Sequence, residues 1–338
     1  MIQIERVGLD IGFGHDKAAI IRDGKLTEVS FPSVLGHAQN LSRYTTGLGR
    51  STRRRATRLV YDGVEYYIGD DALRHSRTQA GRQDRNRIGS VEERVLALAA
   101  LARLNVEHAY VVTGLPVLWF DDRKKLSRNL FGEHKFTWGR QERCVTIHKV
   151  VVLPQPFGGF YSHVLGENGQ AVIPNEEITR TFACIDVGWN TTDMTVIRNL
   201  EPVDQWTGGA RVGVRDLIQM VDDEIKRVYG LDLHPHEVEQ AIRDGRVEVY
   251  GEFHDITDIS NSATSLLSQQ IISNGTDLWG NGERMSSILI LGGGGGYFGS
   301  DIRATFPRNS VLLPRPGMAN ARGFCFFAQR NIWPTKNR

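Results

Sequence analysis

The chain writes one short device twice. "LDIGFGHDK", Leu9 to Lys17, and "IDVGWNTTD", Ile185 to Asp193, share an apolar residue, an aspartate, a β-branched residue, a glycine, an aromatic, three further positions and a charged residue. Each copy follows a strand-like apolar run, and one stands in each half of the chain. A repeat of this kind implies two related halves, each opening on a strand that turns at a glycine and comes back. "IERVGLDIGFG" reads as a strand and its turn, and "KAAIIRDGKLTEVSFPS" as two further strands around an Asp23-Gly24 turn. "TFACIDVG", "TTDMTVI" and "EPVDQWTGG" repeat that order.

Between and after these meanders the text alternates. "LVYDGVEYYIGDDAL" is a hairpin running into a short helix. "SVEERVLALAALARL" is a helix, with Ser90 and Glu93 as a capping box and Val91, Val95, Leu98 and Leu101 at helical spacing. "HAYVVTGLP" is a strand, "DDRKKLSRNLFG" an amphipathic helix closed by Gly132, "FTWGRQERCVTIHKVVVLP" a hairpin and a strand, and "QPFGGFYSHVLGENG" a helix that begins at Gln155. In the second half, "GVRDLIQMVDDEIKRVYG", "HPHEVEQAIRDG" and the Ser260–Leu278 region read as helices. "SSILILGGGGGYFGSDIRATFP" is a buried strand, a five-glycine turn and a helix. "SVLLP" is a short strand, and "PGMANARGFCFFAQR" the last helix. Strands alternating with helices in both halves specify two α/β domains, and "YVVTG" and "ILILG" read as strands buried on both faces.

Composition excludes several function classes. The chain has 338 residues, enough for two cores, with 40% hydrophobic and 24% charged residues. A net charge of +2 gives no broad pull toward nucleic acid or membrane. Cys144, Cys184 and Cys325 are scattered, without metal-ligand spacing, and read as reduced core thiols in a cytoplasmic protein. His148, His234 and His236 form no zinc pattern. The N-terminus shows neither a basic region nor an apolar leader, and no apolar run approaches a membrane span.

The glycine turns carry the chemistry. Asp-x-Gly at a strand end brings backbone amides close to an anion, because no Cβ intervenes. Thr191 and Thr192 add hydroxyls, Lys17 adds a cation, and Asp10 and Asp186 suit a hydrated Mg²⁺, which prefers oxygen ligands and keeps several waters. "LGGGGGY", Leu291 to Tyr297, places a glycine run between a buried strand and a helix N-terminus, which suits a phosphate or nucleoside lying on backbone. Taken singly, each turn also reads as an ordinary hairpin or loop, and Lys17 as a solvated lysine.

As an ordered set these pieces resemble the actin/sugar-kinase/heat-shock-chaperone ATPase superfamily, and within it the ParM/StbA plasmid-segregation ATPases and their archaeal actin-like relatives. "LDIGFGHDK" resembles the first phosphate loop, with "FPS" (Phe31 to Ser33), "YIGDDA" and "TGLPV" following in order. "PQPFGGFY" resembles the first connector, "IDVGWNTTD" the second phosphate loop, "LGGGGGYF" the adenosine motif and "ANARGF" the second connector. The resemblance implies two related actin-like (ribonuclease H-like) domains, each a mixed five-stranded sheet with flanking helices, around a nucleotide cleft. It places domain I at 1–165, with a C-terminal helix 317–332 packing back onto it, and domain II at 166–316.

The resemblance also implies roles. ATP (or GTP) would bind with Mg²⁺. Gly12, Phe13, Gly14, His15 and Lys17 would serve the phosphates from one side, and Gly188, Trp189, Asn190, Thr191 and Thr192 from the other. Gly292, Gly293, Gly294, Gly295 and Tyr297 would pass beneath the α-phosphate and nucleoside, and Arg215 and Asp216 would face ribose and base. Asp10 and Asp186 would hold the metal shell, and Asp10, Asp186 and Gln155 would act in catalysis. The best-known segregation actins carry a glutamate at the Gln155 position; a glutamine can orient an attacking water but not act as a useful base. The alternative for Gln155 is a helix-terminal residue bonding local backbone. Slow hydrolysis within a head-to-tail filament is implied, with a DNA-binding adaptor as partner and plasmid segregation as purpose. A sugar-kinase-like enzyme and a non-polymerising nucleotide switch remain alternatives. The basic run "RSTRRRATR", Arg50 to Arg58, reads as a solvated loop or as a contact for the next subunit or adaptor, and it lacks the motifs of direct sequence-specific DNA binding.

Overall fold

The computed structural model describes residues 2–38, 57–76, 79–80, 84–330 and 333. The basic run from Arg50 to Ala56 lies outside them. Its last residue, Arg58, is bonded to Glu65 at 2.7 Å and lies over the Tyr67 ring. The chain divides into two compact units, Met1–Val172 with Asn320–Arg338, and Ile173–Ala319.

The first unit runs β1 (Glu5–Ile11), β2 (His15–Arg22), β3 (Lys25–Pro32), β4 (Leu35–His37), β5 (Arg58–Tyr61), β6 (Val64–Ile68), α1 (Asp70–His75), β7 (Gln79–Ala80), α2 (Val91–Arg103), β8 (His108–Leu115), α3 (Arg123–Leu130), β9 (Gly132–Trp138), β10 (Gln141–Pro154) and α4 (Pro156–Val164). The second runs α5 (Asn175–Ile178), β11 (Phe182–Val187), β12 (Thr192–Arg198), β13 (Glu201–Pro202), β14 (Gly208–Ala210), α6 (Val214–Tyr229), α7 (Pro235–Asp244), β15 (Arg246–Val249), β16 (Glu252–Asp255), α8 (Thr257–Trp279), β17 (Ser287–Leu291), α9 (Gly295–Thr305) and β18 (Ser310–Leu312). Then α10 (Ala319–Ala328) brings the chain back to the first unit.

The duplication read in the sequence is a duplication of topology. In the first unit β1 pairs antiparallel with β2, β2 with β3, and β1 lies parallel to β8, which lies parallel to β10. In the second, β11 pairs antiparallel with β12, β12 with both β13 and β14, and β11 lies parallel to β17, which lies parallel to β18. Both are mixed sheets flanked by helices, as expected.

Among the described residues the second unit's sheet has six strands where five were expected, β14 adding to β12, and the first unit's has ten, in the order β3-β2-β1-β8-β10-β9-β5-β6-β4-β7. The reason in the first unit is β10, 14 residues long. Its first half pairs with β9 and its second with β8, with the register shifting between Ile147 and Lys149. Such a shift bends a strand and lets it serve two neighbours. In the second unit the hairpin β15–β16 also went unread in the sequence; it turns on Tyr250 and Gly251, both at positive φ.

The cores follow from local patterning. In α2, Val95, Leu98 and Leu101 are buried while Val91 at the N-terminus stays exposed. Its cap differs from the capping box by one residue. Ser90 Oγ accepts from Glu93 N at 3.2 Å, but the Glu93 carboxylate accepts from Gly89 N at 2.6 Å and from Asn129 Nδ2. In α6, Val214, Leu217, Ile218, Val221 and Ile225 bury one stripe.

His134 of β9 is buried, with a ring nitrogen 2.8 Å from the Leu130 carbonyl. Burial, assisted by the Arg94 charge, holds its pKa below the ordinary 6.5. The native imidazole therefore stays neutral where the unfolded chain takes up a proton, and stability is lost as pH falls through the unfolded value. A His134→Gln variant lacks that loss. Urea midpoints measured from pH 8 to pH 5 should fall more for the native chain than for the variant.

Candidate functional site

Both repeats fold to one register. Asp10 sits across from Lys17 on β1 and β2, and Asp186 across from Asp193 on β11 and β12. In each case the aspartate one residue before the end of the first strand faces the charged residue that closes the motif. Opposite residues in an antiparallel pair point to the same face, so the two motifs present a carboxylate–ammonium pair in one unit and two carboxylates in the other.

In the first unit Asp10 is 3% exposed. Lys17 Nζ stands 3.3 Å from its Oδ2, and Gln155 Nε2 donates to its Oδ1 at 3.1 Å. Gln155 is set by its own backbone, whose N–H donates to Leu115 O at 2.8 Å at the end of β8, and it immediately precedes α4 with its side chain left out of any cap bond. Two candidate residues far apart in the sequence, Lys17 and Gln155, thus meet on the carboxylate of a third. The turn between β1 and β2 needs Gly12, where a Cβ would lie 2.6 Å from His15 O. Phe13 is held by the fold, with Trp119 edge-on at 5.6 Å and the Arg87 guanidinium 4.9 Å from its centroid. Gly14 O accepts from Ser33 N at 2.9 Å, and His15 opens β2.

In the second unit the turn closes through Gly188 N donating to Thr191 O at 2.8 Å. Helix α6 is docked onto it, with Val214 N on Gly188 O and Arg215 N on Trp189 O. Gly213 lets it come so close, since a Cβ there would run into the Trp189 carbonyl. Arg215 is exposed, whereas the Asp216 carboxylate caps α6 by accepting from Gly213 N at 2.8 Å. Asn190 and Thr191 remain half-buried at the turn.

Thr192 corrects the sequence reading. It is fully buried, and its hydroxyl donates to Val212 O at 2.8 Å, so it holds the fold rather than facing a ligand. Its counterpart in the first unit is Asp16, which is also fully buried. Burial, opposed by Arg87, pushes the Asp16 carboxyl up to about 7, and burial together with Asp186 does the same to Asp193.

The glycine run joins the second turn. Gly292 has φ 85°, and a Cβ there would strike Val187 O and the Asp186 carboxylate. Gly294 N donates to Val187 O at 2.9 Å, and Gly295 lies against Pro316, where a Cβ would meet Pro316 Cβ at 2.9 Å. Helix α9 begins at Gly295, so the run is part turn and part helix. Gly293 and Gly296 are different. Both are exposed, neither has positive φ, and a Cβ at either would meet nothing within 4 Å. The chain itself needs no glycine there, and a bare backbone surface suits a ligand laid against it. Tyr297 turns aside to Glu239, its hydroxyl 3.4 Å from Oε1, and burial pushes it up to about 12.

A nucleotide fits these features: amide-rich turns, a lysine, and exposed glycine backbone above a helix N-terminus. Among the described residues no group of three or more His, Cys, Asp and Glu side chains stands together. Mg²⁺ would therefore be held by one carboxylate of a unit, Asp10 or Asp186, with phosphate oxygens and waters completing its shell, which is its usual mode.

Sequence reasoning missed Arg87, whose guanidinium reaches the first turn from 75 residues away. It also passed over Asp16 and Ser33, although both lie inside quoted motifs.

Residues 8–158 match the family model for the actin like proteins N terminal domain, and residues 184–304 that for the C-terminal domain of the archaeal actin homologue MreB-like. Among solved structures, a 15-stranded ParM filament from Clostridium botulinum is similar with a TM-score of 0.78 and 24% identity, over 97% of this chain and 99% of that one. An archaeal actin homologue in complex with ADP gives 0.76 and 23%, over 95% and 98%. The Alp12 filament structure gives 0.68 and 16%, over 97% and 98%. No curated protein matches the chain. At these identities the likeness to solved structures is one of fold.

Proposed function

The chain is an actin-like protein, and from that premise we propose that it is a nucleotide-dependent, filament-forming ATPase that separates plasmid DNA in the cytoplasm through a DNA-binding adaptor. One observation carries the nucleotide reading: a phosphate-type turn in the same register in each unit, each preceded by a buried aspartate. Each turn serves phosphate, and the nucleotide is ATP or GTP. Lys17 supplies positive charge to the β- and γ-phosphates, the amides around Gly12 and Gly188 bind phosphate oxygens, and Gly293 and Gly296 carry the nucleoside. Gln155 orients the attacking water, and Asp186 polarises it. Bound Mg²⁺ supplies charge neutralisation at the phosphates. Positioning and electrostatics carry most of the catalysis in phosphoryl transfer.

Assembly is supported by relatives of the same fold solved as filaments. A head-to-tail contact that does not close generates such a polymer. No helix among the described residues is long and apolar enough to cross a membrane.

Light scattering of the purified chain after addition of Mg·ATP tests the proposal. The expected trace rises and then decays as phosphate is released, and it stays flat for Asp186→Ala. A flat trace for the native chain despite ATP binding would turn the assignment to a kinase or a monomeric nucleotide switch.

A further inference from the structure

Arg87 has no place in any motif, yet it is 4% exposed and sits behind the first turn. Its Nη2 donates to two successive carbonyls, Ile11 O at 3.0 Å and Gly12 O at 2.8 Å. Ser33 Oγ donates to the same Gly12 O at 2.7 Å. The guanidinium lies over the Phe13 ring and 3.7 Å from Asp16 Oδ1. A buried arginine needs opposite charge and acceptors, and here the turn carbonyls supply the acceptors.

The consequence is directional. In a trans peptide the C=O of one residue and the N–H of the next point opposite ways. With the Ile11 and Gly12 carbonyls drawn onto Arg87, the Gly12 and Phe13 N–H groups must point away from it. Side chains alternate across a strand pair, so Asp16 and Ile11 lie on one face and Asp10 and Lys17 on the other. Arg87 is on the Asp16 side. The two amides are therefore turned from the Arg87 face toward the side that carries Lys17.

We propose that Arg87 is a positioning residue for anion binding: by holding the Ile11 and Gly12 carbonyls it aims the Gly12 and Phe13 amides at the terminal phosphates of a nucleoside triphosphate. Asp16 Oδ1 stands beside the guanidinium at 3.7 Å, and Ser33 shares the load on Gly12. This rests on the nucleotide reading above and deepens it.

Fluorescent ATP and ADP analogues titrated into the full chain give the test, with the fold of each variant followed by circular dichroism. Arg87→Lys keeps the charge but replaces the planar guanidinium, packed over Phe13 and fixed between the two carbonyls, with a flexible point charge, and Arg87→Met/Asp16→Asn removes the buried pair together. In each, the dissociation constant for the ATP analogue should rise about tenfold, the equivalent of one well-aimed hydrogen bond. That for the ADP analogue should rise less. A merely structural role would lower the fraction of protein that binds and leave the ATP-to-ADP ratio unchanged. Hydrogen exchange in the native chain needs no variant: the Gly12 and Phe13 amides should gain protection on adding ATP. A folded double variant with the native ATP constant, or exchange at both amides unmoved by ATP, would overturn the inference. A native chain that binds no nucleotide would instead overturn the proposed function.

Discussion

Replacing Gly323 by alanine should cost the first unit about 3 kcal/mol or more, seen as a drop in the urea midpoint. Helix propensity alone gives the opposite sign, because alanine favours a helix interior over glycine by about 1 kcal/mol. Packing decides the outcome. A Cβ at Gly323 of α10 would run into the Gly158 carbonyl of α4 and lie 2.6 Å from Ser162 N. From the other side, a Cβ on Gly158 would lie 2.6 Å from Asn320 Cα and 2.8 Å from Asn320 O. These obstacles are main-chain atoms, so no side chain can rotate aside. The opposite flank of α10 is as close, since a Cβ on Gly8 of β1 would strike Ala321 O and Cys325 N. The helix is clasped between a strand and a helix by glycines on all three elements, with Phe324 and Cys325 fully buried. Burial pushes the Cys325 thiol up to about 12 and keeps it unreactive. Gly24→Ala is the control: its φ is 71°, nothing lies within 4 Å of a Cβ there, and the loss should be no more than about 1 kcal/mol. A Gly323→Ala midpoint at or above the native one would refute the clasp.

The same clasp explains what was readable in the sequence and what was not. The repeated motif spells its own hairpin, because an apolar strand, a glycine turn and a return strand are set by neighbours in the chain. Register followed from a spacing of seven between Asp10 and Lys17, and between Asp186 and Asp193. The error at Thr192 was avoidable. With Asp186 and Asp193 sharing one face, strand alternation puts Val187 and Thr192 on the other, as it does Ile11 and Asp16. Arg87 was not avoidable, since no local pattern marks a residue whose partners lie 75 and 76 positions away. The ten-stranded sheet was hidden for a similar reason: β4 and β7 are short, and only tertiary pairing shows that β10 serves two neighbours. Gly293 and Gly296 are a further case. Sequence could count the glycines, but only the structure separates those the fold requires from those it leaves open.

Gln155→Ala should slow phosphate release in the assembled state about a hundredfold, the usual scale for one positioned polar group at a reacting centre, while ATP affinity changes by only a few-fold. The geometry gives the reason. The Asp10 carboxylate can only accept, so the Gln155 amide must turn Nε2 toward it, as the 3.1 Å contact shows. The carbonyl end, Oε1, is thereby directed elsewhere and can accept a hydrogen bond from a water. An amide has no useful basicity, so this group orients rather than deprotonates. Gln155→Glu separates the two roles. A second carboxylate beside Asp10 would be repelled unless the pair holds a proton. Lys17 already engages the other oxygen of Asp10 at 3.3 Å, and its charge only partly offsets the repulsion. Phosphate release by the glutamate variant should therefore depend on pH where that of the native chain does not. It should rise as the pair loses its proton, if the new carboxylate serves as a base, and stay near the alanine level if position alone matters. Parallel scattering and phosphate-release traces for the three proteins decide the matter. Equal rates for the native chain and Gln155→Ala within polymer would remove Gln155 from the mechanism and leave it as the residue before α4.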